Sequence, residues 1–233
     1  IQTGVTGSIS ITSGAGNDVF SIASGINGSI SIWAGEGANT LTTESQINYW
    51  ESGGLDDTIT ASNIYEYAFL GGGNDVALVN GKIGFDNGGG NNNGTWRRVD
   101  GGAGDDLITL LGGSGVFGGI PYGGQKFNDS GNYYANIGME AGVSGGDGND
   151  ILILGGGKDY GFANGDSGDD LIDATNANDA NNLRGGTGND TIIGSRGNER
   201  IDGDDGNDNL AGGEGSNYIG GGSGLDTITS GSA

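Results

Sequence analysis

Large aliphatic residues recur every nine positions near the end of the chain, at Ile192, Ile201, Leu210, Ile219 and Ile228. Each belongs to a nine-residue unit: GGTGNDTII (185–193), GSRGNERID (194–202), GDDGNDNLA (203–211), GGEGSNYIG (212–220) and GGSGLDTIT (221–229). The shared pattern is G-G-x-G-x-D-x-U-x, with U a large aliphatic. Six residues of such a unit predict a tight, glycine-rich acidic turn. The other three predict a short strand whose aliphatic side chain points inward. A different pattern opens the chain, where GSISI stands at 7–11 and again at 28–32. Ser8 and Ser10 alternate there with Ile9 and Ile11, the mark of a strand with one buried face. No segment shows helical periodicity.

More units appear upstream in the same register. GGAGDDLIT (101–109) and GGDGNDILI (145–153) match every fixed position, and GDSGDDLID (165–173) departs only at its second glycine. Weaker copies are SGAGNDVFS (13–21), AGEGANTLT (34–42), SGGLDDTIT (52–60) and LGGGNDVAL (70–78). At alternate turns the sixth position reads Asp18, Asn39, Asp57, Asp75, Asp106, Asp150, Asp170, Asp190, Asp208 and Asp226. The steps between them are 21, 18, 18, 31, 44, 20, 20, 18 and 18 residues. Two nonapeptides make 18 residues, so one coil holds two strands and two turns, and the sixth-position residues line one edge. At ~4.8 Å between strands, ten coils would span roughly 48 Å.

The predicted fold is therefore all-β, a right-handed parallel β-solenoid of about ten two-stranded coils. Residues 1–85 read as coils with acidic turns on one edge only. Residues 86–144 read as a coil interrupted by two loop insertions, and residues 145–233 as the regular nonapeptide region. The insertions, DNGGGNNNGTWRR (86–98) and a glycine- and tyrosine-rich stretch at 112–138, explain the two long steps. They hold Trp96, Tyr122, Tyr133 and Tyr134 with Arg97, Arg98 and Lys126.

These units resemble the RTX (repeat-in-toxin) calcium-binding family. In that family Ca2+ ions sit between successive turns, held by loop carbonyls and sixth-position aspartates, and the fold is a calcium-bound β-roll. The resemblance implies metal-ligand roles for the sixth-position residues Asp18, Asn39, Asp57, Asp75, Asp106, Asp150, Asp170, Asp190, Asp208 and Asp226. It implies the same for first- and third-position carbonyls: Gly101 and Ala103, Gly145 and Asp147, Gly165 and Ser167. Gly185 and Thr187, Gly203 and Asp205, and Gly221 and Ser223 complete that set. Calcium is a hard cation that takes six to eight oxygens, and glycine turns aim carbonyls at one spot. Asn39 keeps an oxygen without the charge, which implies a weaker site. Glu199 and Asn217 stand where aspartate is expected on the opposite edge. Roughly six to ten ions are implied. Glycine and aspartate also mark plain turns. Plain turns do not explain an aliphatic two places after the aspartate in copy after copy.

Composition narrows the choice. The net charge is −22, and all eight basic residues lie from Lys82 onward, so nucleic acid and anionic membranes would be repelled. Each calcium adds two charges, so about nine ions would bring −22 to −4. Apolar residues make up 33%, thin for a globular core but enough for coils that bury a narrow strip each. Cysteine and histidine are absent, which removes Ser–His–Asp and Cys–His catalysis. The pairs Asp56/Asp57, Asp105/Asp106 and Asp169/Asp170 fall inside repeat turns, so no enzyme is expected. Gly157-Lys158 is followed by Asp159, not the Ser or Thr of a P-loop. No stretch reaches the ~18 apolar residues of a membrane helix. The chain opens at Ile1 without a signal-peptide pattern and reads as a mature product or a piece of something longer.

The expected function is that of a secreted, extracellular calcium-binding structural protein of a bacterial surface: an S-layer, surface filament or adhesin segment. The resemblance implies type I export unfolded and folding on external Ca2+. The last unit runs almost to Ala233 without a visible cap, which suggests self-association through strand edges. Tyr49, Trp50, Tyr65 and Tyr67 are expected to pack the wider coils. The aromatics of the insertions are candidates for self-packing or for contact with another subunit or a glycan. The alternative is a calcium-folding module of a larger secreted enzyme or cytolysin, or a glycan-binding module.

Overall fold

A computed structural model describes residues 7–26, 28–81, 97–111, 141–155, 162–177 and 182–231. Among them run eighteen strands and no helix. In chain order these begin with β1 (Ile9–Thr12), β2 (Val19–Ile22), β3 (Ile30–Gly35), β4 (Thr40–Ser52), β5 (Thr58–Gly72) and β6 (Val76–Val79). Next come β7 (Arg97–Ala103), β8 (Leu107–Leu110), β9 (Ala141–Asp147), β10 (Ile151–Leu154), β11 (Phe162–Ser167) and β12 (Leu171–Asp173). The last are β13 (Asn182–Thr187), β14 (Thr191–Ile193), β15 (Arg200–Asp205), β16 (Asn209–Ala211), β17 (Tyr218–Ser223) and β18 (Thr227–Thr229).

Every pairing is parallel, and each strand pairs with its equivalent one coil away, as in a β-solenoid. One face runs β1, β3, β4, β5, β7, β9, β11, β13, β15, β17. The other runs β2, β4, β5, β6, β8, β10, β12, β14, β16, β18. The strands β4 and β5 belong to both faces. The coil count expected from the motif spacing is matched only roughly.

Two in-register columns of side chains fill the interior. One stacks Phe20, Leu41, Ile59, Ala77, Ile108, Leu152, Ile172, Ile192 and Leu210, the aliphatic position of each motif. The facing column stacks Ile32, Trp50, Ala68, Val99, Val143, Ala163, Leu183 and Ile201. All are buried. Further buried side chains such as Ile30, Ile47, Ile64, Leu70 and Val79 widen this core in the first half, and stacking supplies the depth that one coil lacks.

The two halves differ at the edge opposite the motif row. In the first half β4 and β5 pass through that edge as continuous strand, with register shifts between Thr43 and Gln46 and between Ile47 and Tyr49. Polar side chains hold it: Ser45 Oγ donates to Ala23 O (2.7 Å), and Asn48 Oδ1 accepts from Ile30 N (3.1 Å). GSISI at 7–11 and 28–32 does lie in register, Ile9 beside Ile30 and Ile11 beside Ile32. Apart from Arg97 and Arg98, the two insertions read at 86–98 and 112–138 lie outside the described residues.

Candidate metal-binding edge

The edge is built from the glycine turns. At Gly185 an added Cβ would collide with Asp190 Oδ2 and lie 2.7 Å from Gly203 O. At Gly165 it would collide with Asp170 Oδ2 and lie 2.6 Å from Gly185 O. The first-position glycine therefore keeps open a spot on which a carboxylate oxygen and the carbonyl of the next coil converge. From Gly71 onward the second position of each motif turn on this edge has positive φ, and where it is not glycine it is Asp166 (φ 77°) or Asp204 (φ 75°). Aspartate tolerates that region better than most side chains. Asp204 pairs there with Arg184, and Asp166 accepts from Ser144 Oγ and Asn164 Nδ2.

The sixth-position residues form one continuous chain of hydrogen bonds. Oδ1 of each accepts the backbone N–H of its counterpart in the preceding coil. Asp18 N donates to Asn39 (3.1 Å), Asn39 N to Asp57 (2.6 Å), Asp57 N to Asp75 (2.6 Å) and Asp75 N to Asp106 (2.8 Å). Asp106 N donates to Asp150 (2.7 Å), Asp150 N to Asp170 (2.8 Å), Asp170 N to Asp190 (2.9 Å), Asp190 N to Asp208 (2.9 Å) and Asp208 N to Asp226 (3.1 Å). The row inferred from sequence is thus a physical row, insertions notwithstanding.

The second oxygen is the telling one. Oδ2 of Asp18, Asp57, Asp75, Asp106, Asp150, Asp170, Asp190 and Asp208 is buried with no hydrogen-bond partner among the described residues. A buried carboxylate oxygen without a partner is costly unless a cation meets it. Burial accordingly raises the carboxyls of Asp75, Asp106, Asp150 and Asp170 to about 7 and that of Asp190 to about 6. Asp57 and Asp208 are raised for the same reason. The N–H that each accepts opposes the rise.

The chemistry of the donors fits a hard divalent ion. No cluster of three or more metal-ligating side chains occurs among the described residues. Each step offers one carboxylate per coil, so the remaining ligands have to be backbone oxygens. First-position carbonyls Gly145, Gly185, Gly203 and Gly221 stand beside the aspartate oxygen of the preceding coil. Third-position carbonyls Ala103, Asp147, Ser167, Thr187, Asp205 and Ser223 each accept one N–H from the preceding coil, at 2.6–2.8 Å. A carbonyl has a second lone pair, so that bond does not exhaust them.

Four stretches, residues 98–117, 143–161, 177–210 and 202–232, match the family of the RTX calcium-binding nonapeptide repeat. The chain carries RTX calcium-binding repeats. Neither the curated proteins nor the solved structures give a match. The RTX turns matched in 98–117, 143–161 and 177–232 contain Asp106, Asp150, Asp190, Asp208 and Asp226. Asp18, Asn39, Asp57 and Asp75 lie before the first match, yet the same hydrogen-bond chain includes them. No helix among the described residues is long and apolar enough to cross a membrane.

A second row was missed because the motif leaves its fifth position open. Asn17, Asp56, Asn74, Asp105, Asn149, Asp169, Asn189 and Asn207 form a ladder running the other way. Each Oδ1 accepts the fifth-position N–H of the following coil, at 2.7–3.1 Å. The signal was visible as Asn or Asp beside nearly every sixth-position aspartate. It also gives Asp56, Asp105 and Asp169 a structural partner.

On the opposite edge, Glu199 is buried and folds back on its own turn, with Ser195 Oγ donating to Oε1. Asn217 Oδ1 accepts from Glu199 N (2.8 Å). On the outer surface beside β4 and β5, Trp33, Tyr49 and Tyr67 follow one another with ring centres 5.4 and 6.1 Å apart. Trp50 alone of the expected packing aromatics is fully buried, and its Nε1 donates to Ser52 Oγ (2.9 Å).

Proposed function

We propose that the chain is a secreted calcium-binding structural module that folds on meeting extracellular Ca2+ and serves in a bacterial surface assembly such as an S-layer, filament or adhesin. The row of buried, unpartnered aspartate oxygens carries this reading. Without a cation those oxygens oppose the fold, and with one they join coil to coil. A chain of net charge −22 then stays open where calcium is scarce and closes where it is plentiful, because the binding energy appears as folding energy. The surface role is supported by the solenoid running from β1 to β18, with the matched repeats spread from residue 98 to residue 232. Circular dichroism of the metal-free chain during calcium titration tests the folding step. A cooperative gain of β signal is expected, and an identical β signal with and without calcium overturns the reading. Electron microscopy of the calcium form tests assembly, with particles that remain monomeric at high concentration speaking against a surface array.

A further inference from the structure

The sixth-position row has one exception, and the opposite edge repeats it. At each aspartate from Asp57 to Asp208 one side-chain oxygen takes an N–H and the other stands unpartnered in a buried spot. Asn39 occupies the same row and its Oδ1 takes the N–H of Asp18. Its other atom is a nitrogen, and that nitrogen donates to Gly35 O (3.2 Å) and Gly37 O (2.9 Å) of its own turn. Gly35 and Gly37 are the second and fourth positions of that turn. Asn217 also ties its own turn, through different carbonyls. Its Oδ1 takes the N–H of Glu199, while Nδ2 donates to Gly212 O (2.7 Å) and Glu214 O (3.1 Å). Gly212 and Glu214 are first- and third-position carbonyls, the backbone positions assigned as ligands in the aspartate turns.

The orientation of both amides is fixed by these partners, since a backbone N–H needs the oxygen and the carbonyls need the nitrogen. An N–H pair facing two carbonyls supplies what a cation would supply: partial positive charge where oxygens converge. It also excludes the cation, which would meet the same hydrogens. Asparagine further removes the negative charge that draws the ion.

We propose that at Asn217 the side-chain amide takes the place of the ion and that the Asn39 amide ties its own turn in a related way, so that these two turns are pinned without metal. Asn39 pins the coil joining Asp18 to Asp57, and Asn217 pins the opposite edge beneath Glu199. Those joints hold at calcium levels too low to load the aspartate row. This rests on the calcium reading of that row.

Bound calcium per full-length chain, counted by equilibrium dialysis with atomic emission, tests it. Asn217→Asp, in a turn that opens on Gly212, is expected to bind one ion more than the wild type, whereas Asn39→Asp is expected to bind none more because Ala34 fills the spot that glycine leaves open elsewhere. An unchanged count in Asn217→Asp overturns the inference while leaving the calcium reading intact. A wild type that binds no calcium overturns both, and shows that the fault lies with the aspartate row. Should a variant fail to fold, hydrogen exchange of the side-chain amides in the calcium-loaded wild type decides. Slow exchange at Asn39 and Asn217 is expected, and exchange as fast as in a free asparagine overturns the proposal.

Discussion

At the scale of the residue, Asp150 shows how one side chain serves two tasks. Its Oδ1 satisfies the N–H of Asp106, and its Oδ2 faces a spot kept open by Gly145. Asp150→Ala removes both and leaves a buried N–H without a partner. We expect one calcium fewer and a loss of about 1–3 kcal/mol in the calcium form, read from urea melts. Asp150→Asn keeps the acceptor, so it should lose the ion with a smaller effect on the metal-free chain. Gly203→Ala places a methyl against Asp208 Oδ2 and the Gly221 carbonyl. It should abolish one binding step, a deficit that isothermal titration would register as a lower stoichiometry. The pH dependence follows from the raised carboxyls. Folding lifts Asp75, Asp106, Asp150 and Asp170 from the ordinary aspartate range to about 7. In the metal-free chain their contribution is therefore fully present below about pH 4 and is lost as pH rises through 6 to 7. The metal-free chain should be more ordered at pH 4.5 than at pH 8, as judged by circular dichroism. Calcium reverses the order, since it requires the carboxylate, and its apparent affinity should fall as pH drops below about 7.

At the scale of the element, each strand is too short to stand alone and is held by the columns on either side. Leu152 stacks between Ile108 and Ile172 in the motif column. Leu152→Ala should cost about 2–5 kcal/mol, and Trp50→Ala about 3–5 kcal/mol, in calcium-saturated denaturant melts. Much of this level was legible in the sequence. The aliphatic two places after the aspartate marked the inward column, and GSISI marked two strands that do pair in register. The row of sixth-position residues was legible across steps as uneven as 31 and 44 residues. The long strands β4 and β5 were not, because a chain that turns a corner as strand carries no glycine signature there. The fifth-position ladder escaped because its residues alternate between Asn and Asp, which a motif written for the metal treats as free. The pinning by Asn39 escaped because sequence shows the loss of a charge and not where the replacing amide points.

At the scale of the whole molecule, two ladders of opposite sense stitch the coils together. Sixth-position oxygens reach back to the preceding coil, while fifth-position oxygens reach forward to the following one. From Asp56 onward each seam of the motif row is thereby closed from both sides by the same few atoms, while between the Asn39 and Asp57 coils, where the fifth position is Ala38, Gly54 N donates to Glu36 Oε2 instead. The stack also concentrates acidic groups along one edge, which explains how 30 acidic residues against 8 basic ones coexist with a folded chain once cations are present. Raising monovalent salt should screen the attraction between calcium and that edge and raise the calcium concentration needed for half-folding, a shift that fluorescence-monitored titration can follow. Because the seams are interchangeable, excising residues 185–202, one full turn of the winding, would bring Asp170 against Asp208 with both stitches able to re-form. Length in this protein is thus a quantity that evolution can lengthen or trim in whole rungs, much as one adjusts a ladder without redesigning its joints.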